Sequence, residues 1–116
     1  MAYKRIDLTD LNVGHLRARR ARLARQLPDV ELTLRGSLQT QGRRCGKEGC
    51  WCAGGELHGP YVYLAVRSGR RTRLLYIAAD LAEDVKRRVE VTVRLEGVLA
   101  EISAINLELL ARGELS

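Results

Sequence analysis

Hydrophobic positions recur at two different periods along this chain, and the changes of period divide it into three segments. Between residues 10 and 28, Val13, Leu16, Leu23, Ala24 and Leu27 share one arc at about 100° per residue. Arg17, Arg22 and Arg25 lie outside that arc and Arg20 intrudes into it. With Thr9 and Asp10 as capping residues and Pro28 as a stop, this predicts an amphipathic helix of about five turns. From Glu31 the pattern alternates. Residues 32–41 predict a strand bent at Gly36, and residues 61–67 and 71–77, joined through Ser68-Gly69-Arg70, predict a β-hairpin.

After Asp80, read as a cap, the helical period returns. Val85, Arg88, Thr92, Leu95, Leu99, Ile102, Asn106 and Leu109 step by three or four, which is a heptad seam. No proline interrupts the segment before about Arg112, so it is roughly 50 Å long if continuous, with Gly97 its weakest point. Val89, Val91, Val98, Ile105, Leu107 and Leu110 widen the apolar arc to about half the circumference, and Glu90–Arg94 and Glu108–Arg112 form i,i+4 pairs opposite it. One short helix cannot cover such an arc. The N-terminal helix is expected on one flank. On the other, a second copy is expected to form a homodimer through Leu95, Leu99, Ile102, Asn106 and Leu109, with Asn106 fixing register. The alternative is an intramolecular helical hairpin with Asn106 near a solvated end. The expected fold is thus α+β: an N-terminal amphipathic helix (1–30), a three-stranded antiparallel zinc-clipped sheet (31–79) and a long C-terminal helix with coiled-coil character (80–116), one structural domain overall.

Composition narrows the class. Of 116 residues, 46 % are hydrophobic and 29 % charged, a globular balance at a size where a single core is marginal and a metal or a partner helps folding. No run approaches a membrane span, and the opening Met-Ala-Tyr-Lys-Arg-Ile-Asp lacks the apolar stretch of a signal peptide, so a cytoplasmic protein with no membrane partner is expected. The net charge of +6 is unevenly spread: residues 1–79 carry 15 basic and 6 acidic residues, whereas residues 80–116 carry 5 and 8. A basic front suits a polyanion. Most of the basic residues are Arg, which forks onto phosphate and base edges and is also what a GC-rich genome encodes.

Candidate chemistry is concentrated in Arg43-Arg-Cys-Gly-Lys-Glu-Gly-Cys-Trp-Cys-Ala-Gly-Gly-Glu-Leu-His58. Cys45, Cys50 and Cys52 with His58 are four ligands on a short tether, suited to a tetrahedral structural Zn²⁺. Gly46, Gly49, Gly54 and Gly55 would let the backbone turn around the ion. Reduced structural cysteines are the alternative; a disulfide does not suit the cytosol and leaves one thiol over. Arg43, Arg44 and Lys47 would depress a thiol pKa, but His15 reads as a helix-surface residue and no Cys-His-Asn/Asp set is present, which argues against a thiol enzyme.

Gly36-Ser-Leu, Arg44-Cys-Gly-Lys-x-x-Cys-x-Cys52 and His58-Gly-Pro-Tyr61 with Leu64, followed by a hairpin and a long helix, resemble an uncharacterised family of short bacterial and archaeal proteins. The resemblance spans roughly residues 36–112, and Trp51 departs from the Arg usual between the last two cysteines. It implies proximity to transposase or other mobile-element genes and no particular activity.

Arg43, Arg44 and Lys47 at the cysteine loop and Arg67, Arg70, Arg71 and Arg73 at the hairpin are the candidate nucleic-acid contacts, and all but Arg67 are expected to converge on one face. Tyr61, Tyr63, Tyr76 and Trp51 are interleaved with them and are able to stack on unpaired bases; the tyrosines are expected chiefly to pack the sheet against the helices. Glu48 and Glu56 are the carboxylates near the loop, at no spacing that suggests acid–base or two-metal chemistry. The expected function is therefore a small non-catalytic nucleic-acid-binding accessory protein, DNA ahead of RNA. The alternatives are a protein–protein adaptor acting through the long helix and a metal- or thiol-dependent enzyme.

Overall fold

In a computed structural model of the chain, the described residues are 7–116 other than Cys45, Glu48 and Glu56; the side chains of Arg43, Cys52 and Ala53 also lie outside the description. The chain divides into two compact units, one made of residues 1–33 and 91–116, the other of residues 34–90. The long helix, given a segment of its own (80–116) in the sequence, contributes residues to both units.

In the first unit, helix α1 runs over Val13–Ala24. Its N-cap is Asn12, whose side chain accepts the His15 N–H at 2.8 Å. Thr9, expected as a cap, instead donates both its N–H and its hydroxyl to Asp7. The helix ends at Ala24 rather than Leu27, because the residue before Pro28 is disfavoured in α geometry and the chain leaves the helix a turn ahead of it. Helix α2, Ala82–Ala111, is 30 residues long and unbroken at Gly97, giving a rod of about 45 Å. It is preceded by a 3-10 turn over Ala79–Leu81 that contains Asp80, so Asp80 is not its cap.

Leu16 and Leu23 of α1 meet Ile105 and Leu109 of α2 in a core where Leu16, Ile105 and Leu109 are at most 1 % exposed. Leu8, Leu11, Val13, Val98 and Ile102 pack around them. This is the intramolecular helical hairpin. Leu109 and Ile102, expected in an intermolecular seam, are instead taken up in this core, and Asn106 accepts a 2.7 Å hydrogen bond from Arg20. Of the expected seam, Leu99 is exposed and Leu95 is half-buried.

The turn closing α2 is held by two backbone bonds, Glu114 N–H to Leu109 C=O and Gly113 N–H to Leu110 C=O, with Gly113 at φ 72°. That pattern is a Schellman cap, and glycine meets its left-handed requirement. Beyond it, Arg17 donates to Glu114 C=O and Arg20 to Leu115 C=O, while Arg112 donates to the carbonyls of Leu8, Thr9 and Leu11. Each helix thus supplies arginines to chain just outside the other.

The second unit is a three-stranded antiparallel sheet in the order β1 (Ser37–Arg43), β2 (His58–Ser68), β3 (Arg71–Ile77). The first strand begins at Ser37, not at residue 32, because Val30–Leu32 forms a 3-10 turn capped by Asp29. Gly36 sits where a Cβ would lie 2.7 Å from Leu64 Cδ1 and 2.9 Å from Ala65 O, so strand entry there requires glycine. The β2–β3 connection is the two residues Gly69-Arg70, with Ser68 opposite Arg71. Gly69 has φ 63° and Arg70 has no positive φ, as a type II′ turn demands.

Candidate functional site

The loop between β1 and β2 is built from tight backbone turns. The Cys50 N–H reaches Lys47 C=O at 3.3 Å, with Gly49 between them at φ 78°. Cys50 is extended and leads into a single 3-10 turn, Trp51–Gly54. The chain then returns to His58 at the start of β2, opposite Arg43. Pairing slips between Gln41 and Arg43, where two steps on β1 face three on β2, and the extra length falls at Gly59-Pro60, a cis peptide. A Cβ at Gly59, which has φ 112°, would lie 2.8 Å from Tyr61 N. Glycine is therefore needed for the irregularity that leads from the loop into the ladder.

This path brings Cys50 Sγ to 3.1 Å from His58 Nε2, with both residues half-buried. The Trp51 ring, 59 % exposed, tilts against the imidazole at 4.6 Å between centroids and 53°. A thiolate and an imidazole on one tetrahedral Zn²⁺ stand about 3.6 Å apart, given Zn–S near 2.3 Å and Zn–N near 2.05 Å. The observed separation is within half an ångström of that, so the pair fits two corners of such a site. Cys45 lies outside the described residues, as does the Cys52 side chain. Among the described residues, no three His, Cys, Asp or Glu groups are gathered.

Arg44, Lys47, Arg67, Arg70, Arg71 and Arg73 are all exposed. Arg44 and Lys47 belong to the loop at one end of β2, and Arg70 to the turn at the other. An 11-residue strand separates them, about 30 Å. Val66 faces Arg73 and Ser68 faces Arg71, whereas Arg67 faces Thr72, so Arg71 and Arg73 share one face of the sheet and Arg67 projects from the other.

The register adds Gln39 and Gln41, which the sequence analysis did not single out, to the three tyrosines that it did. Gln41 is opposite Tyr61; Gln39 and Tyr76 both flank Tyr63. These residues share the Arg67 face. Tyr76 meets Tyr61 at 6.2 Å and Tyr63 at 5.9 Å between centroids, both edge-to-face. Tyr63 is 6 % exposed and Tyr76 is 59 % exposed.

Charge is concentrated in the sheet. Residues 34–79 hold eight basic and two acidic residues. In the first unit Arg17 pairs with Glu114, Arg19 with Glu101 and Arg112 with Glu108. Arg44, Lys47, Arg67, Arg70, Arg71 and Arg73 have no ion pair among the described residues.

These features define a small α+β protein in which a helical hairpin accompanies a basic β-meander with a Cys/His loop. The chain belongs to the family described as Domain of unknown function (DUF6788), which matches residues 15–87. That match takes in most of α1 and ends in the second turn of α2, whereas the resemblance seen in the sequence was placed on residues 36–112. No curated protein and no solved structure matches the chain. Among the described residues, no helix is long and apolar enough to cross a membrane.

Proposed function

We propose that this protein is a non-catalytic, cytoplasmic nucleic-acid-binding accessory protein whose basic sheet is clipped by a structural Zn²⁺, serving a mobile element. The observation that carries this reading is the uncompensated charge of residues 34–79, borne on exposed side chains at both ends of a sheet. Phosphate contacts of that kind act through counterion release and bind with little regard to sequence. The mobile-element association rests on the sequence resemblance.

Cys45, Cys50, Cys52 and His58 would hold the ion in a closed four-ligand site, and a closed site supplies folding energy, not hydrolysis. The Cys50–His58 approach of 3.1 Å supports that assignment. About one zinc per chain is expected in protein purified without added metal, and Cys50→Ser should lower both metal content and stability; a well-folded, metal-free protein overturns it. The binding reading is tested by salt titration against DNA and RNA. Each of Arg44→Ala and Lys47→Ala should flatten the slope of log K against log salt by roughly one unit where a phosphate contact is lost. No binding to any nucleic acid at about 50 mM salt overturns it.

A second reading is favoured by one observation. Leu99, Leu107 and Leu110 of α2 are 52 %, 63 % and 57 % exposed, on a side of the helix away from the hairpin core. Among the described residues that core has four buried side chains in a unit of 59 residues, and a core of that size gains from a partner. A second copy of the chain seated on this stripe would extend it.

A further inference from the structure

We infer that the sheet face carrying Tyr61, Tyr63 and Tyr76 is a platform for the unpaired bases of a single-stranded nucleic acid. This rests on the nucleic-acid reading above and commits it to a strand form and a surface.

The face combines three chemistries. The first is aromatic. Tyr76 stands 59 % exposed on the edge strand while edge-to-face contacts with Tyr61 and Tyr63 fix its orientation, so a positioned aromatic ring is offered to solvent. A base stacked on such a ring gains affinity whatever its identity, because every base has a π-face. The second is the amide pair Gln39 and Gln41 on β1, across the sheet from these rings. Gln41 Nε2 donates to Gln39 Oε1 at 3.3 Å, and the remaining amide donors and acceptors match base edges. The third is charge. Arg67 shares this face toward the turn, and Arg44 and Lys47 stand in the loop at the other end, so a backbone laid along β2 meets cations at both ends of a path of about 30 Å.

The packing explanation for the tyrosines accounts for Tyr63, which is 6 % exposed, but not for Tyr76. A protein partner on the same face is less consistent with its electrostatics, because residues 34–79 hold eight basic residues against two acidic ones. A duplex cannot use the platform, since its bases are stacked on each other and present edges in the grooves, not faces.

The test compares binding of mixed-sequence single strands of DNA and RNA, about 15 nucleotides long, with the matching duplexes at fixed salt. The proteins are the unaltered chain, Tyr76→Ala, Tyr76→Phe and the double variant Arg71→Ala/Arg73→Ala on the opposite face. The unaltered chain should prefer single strands. Tyr76→Ala should weaken single-strand binding about tenfold or more while leaving duplex binding unchanged, and Tyr76→Phe should retain it. The Arg71/Arg73 variant, altered on the opposite face, should leave the preference for single strands in place, and loss of that preference overturns the choice of face. Ultraviolet crosslinking of the unaltered protein to a single strand, mapped by peptide, should mark residues 61–76; it needs no variant to fold. Equal affinity for duplex and single strand with a silent Tyr76→Ala, or crosslinks confined elsewhere, overturns this inference and leaves the nucleic-acid reading standing. Failure to bind any nucleic acid overturns both.

Discussion

Arg20 lies in the apolar arc of α1, where a charge would ordinarily weaken packing, and its partner is a polar residue of the expected seam on α2, Asn106. The two departures from the hydrophobic pattern explain each other, which neither does when its own helix is read alone. Arg112 plays the larger part. Its side chain is 25 % exposed and supplies three carbonyl contacts besides Glu108. Arg112→Ala should destabilise the chain by about 1–3 kcal/mol, read from the denaturant midpoint. Arg112→Lys should recover little, because one ammonium cannot reproduce the fork that spans these oxygens. Asp84, in the first turn of α2, is held below the ordinary aspartate range by hydrogen bonds from Arg87 and then Arg88. Its folded pKa is the lower one, so its contribution to stability is complete above the ordinary aspartate value and is lost as the pH falls through the folded one. An NMR titration of the Asp84 carboxyl should show a midpoint below that of a free aspartate, and Arg87→Ala should raise it.

At the level of elements, two helices and three strands were legible because their periods are long and clean. The register of the hairpin was not. A three-residue connection over Ser68-Gly69-Arg70 would pair Arg67 with Arg71 and set Tyr76 opposite Val62. The observed two-residue turn moves the pairing by one, and a one-residue shift turns every side chain of a strand to the other face. That shift separates Arg67 from Arg71 and Arg73 and delivers Tyr76 to Tyr63. The sequence signal available was Gly69, whose left-handed φ suits the first position of a II′ turn. The start of β1 was displaced for a similar reason: Gly36 was read as a bend within a strand, but it precedes the strand and is fixed by contact with its neighbour β2. Gly36→Ala forces a Cβ to within 3 Å of Leu64 and Ala65 O, and should cost about 1–3 kcal/mol, measured by thermal or denaturant unfolding.

Across the whole molecule, the sequence places four candidate ligands in one loop, and among the described residues Cys50 and His58 approach one another. Assembly was harder to read, since an apolar arc of half a helix fits one partner plus solvent as well as two partners. The structure assigns part of that arc to α1 and leaves Leu99, Leu107 and Leu110 exposed. If a second copy covers them, Leu99→Glu/Leu107→Glu should convert a dimer to a monomer in sedimentation at micromolar concentration with the far-ultraviolet dichroism preserved. A monomeric unaltered chain removes the second reading.

The two units also differ in how the chain visits them. The sheet unit is one uninterrupted stretch, residues 34–90, whereas the helical hairpin is closed between residues 1–33 and 91–116. On a ribosome, where residues emerge at about 5–20 per second, every strand partner of the sheet is present before the α2 half of the hairpin core has been made. Leu16 and Leu23 must then wait, solvent-exposed, through the synthesis of more than seventy residues before Ile105 and Leu109 arrive to cover them. The order of translation makes the basic sheet the first part able to mature and α1 a holding surface in need of temporary cover.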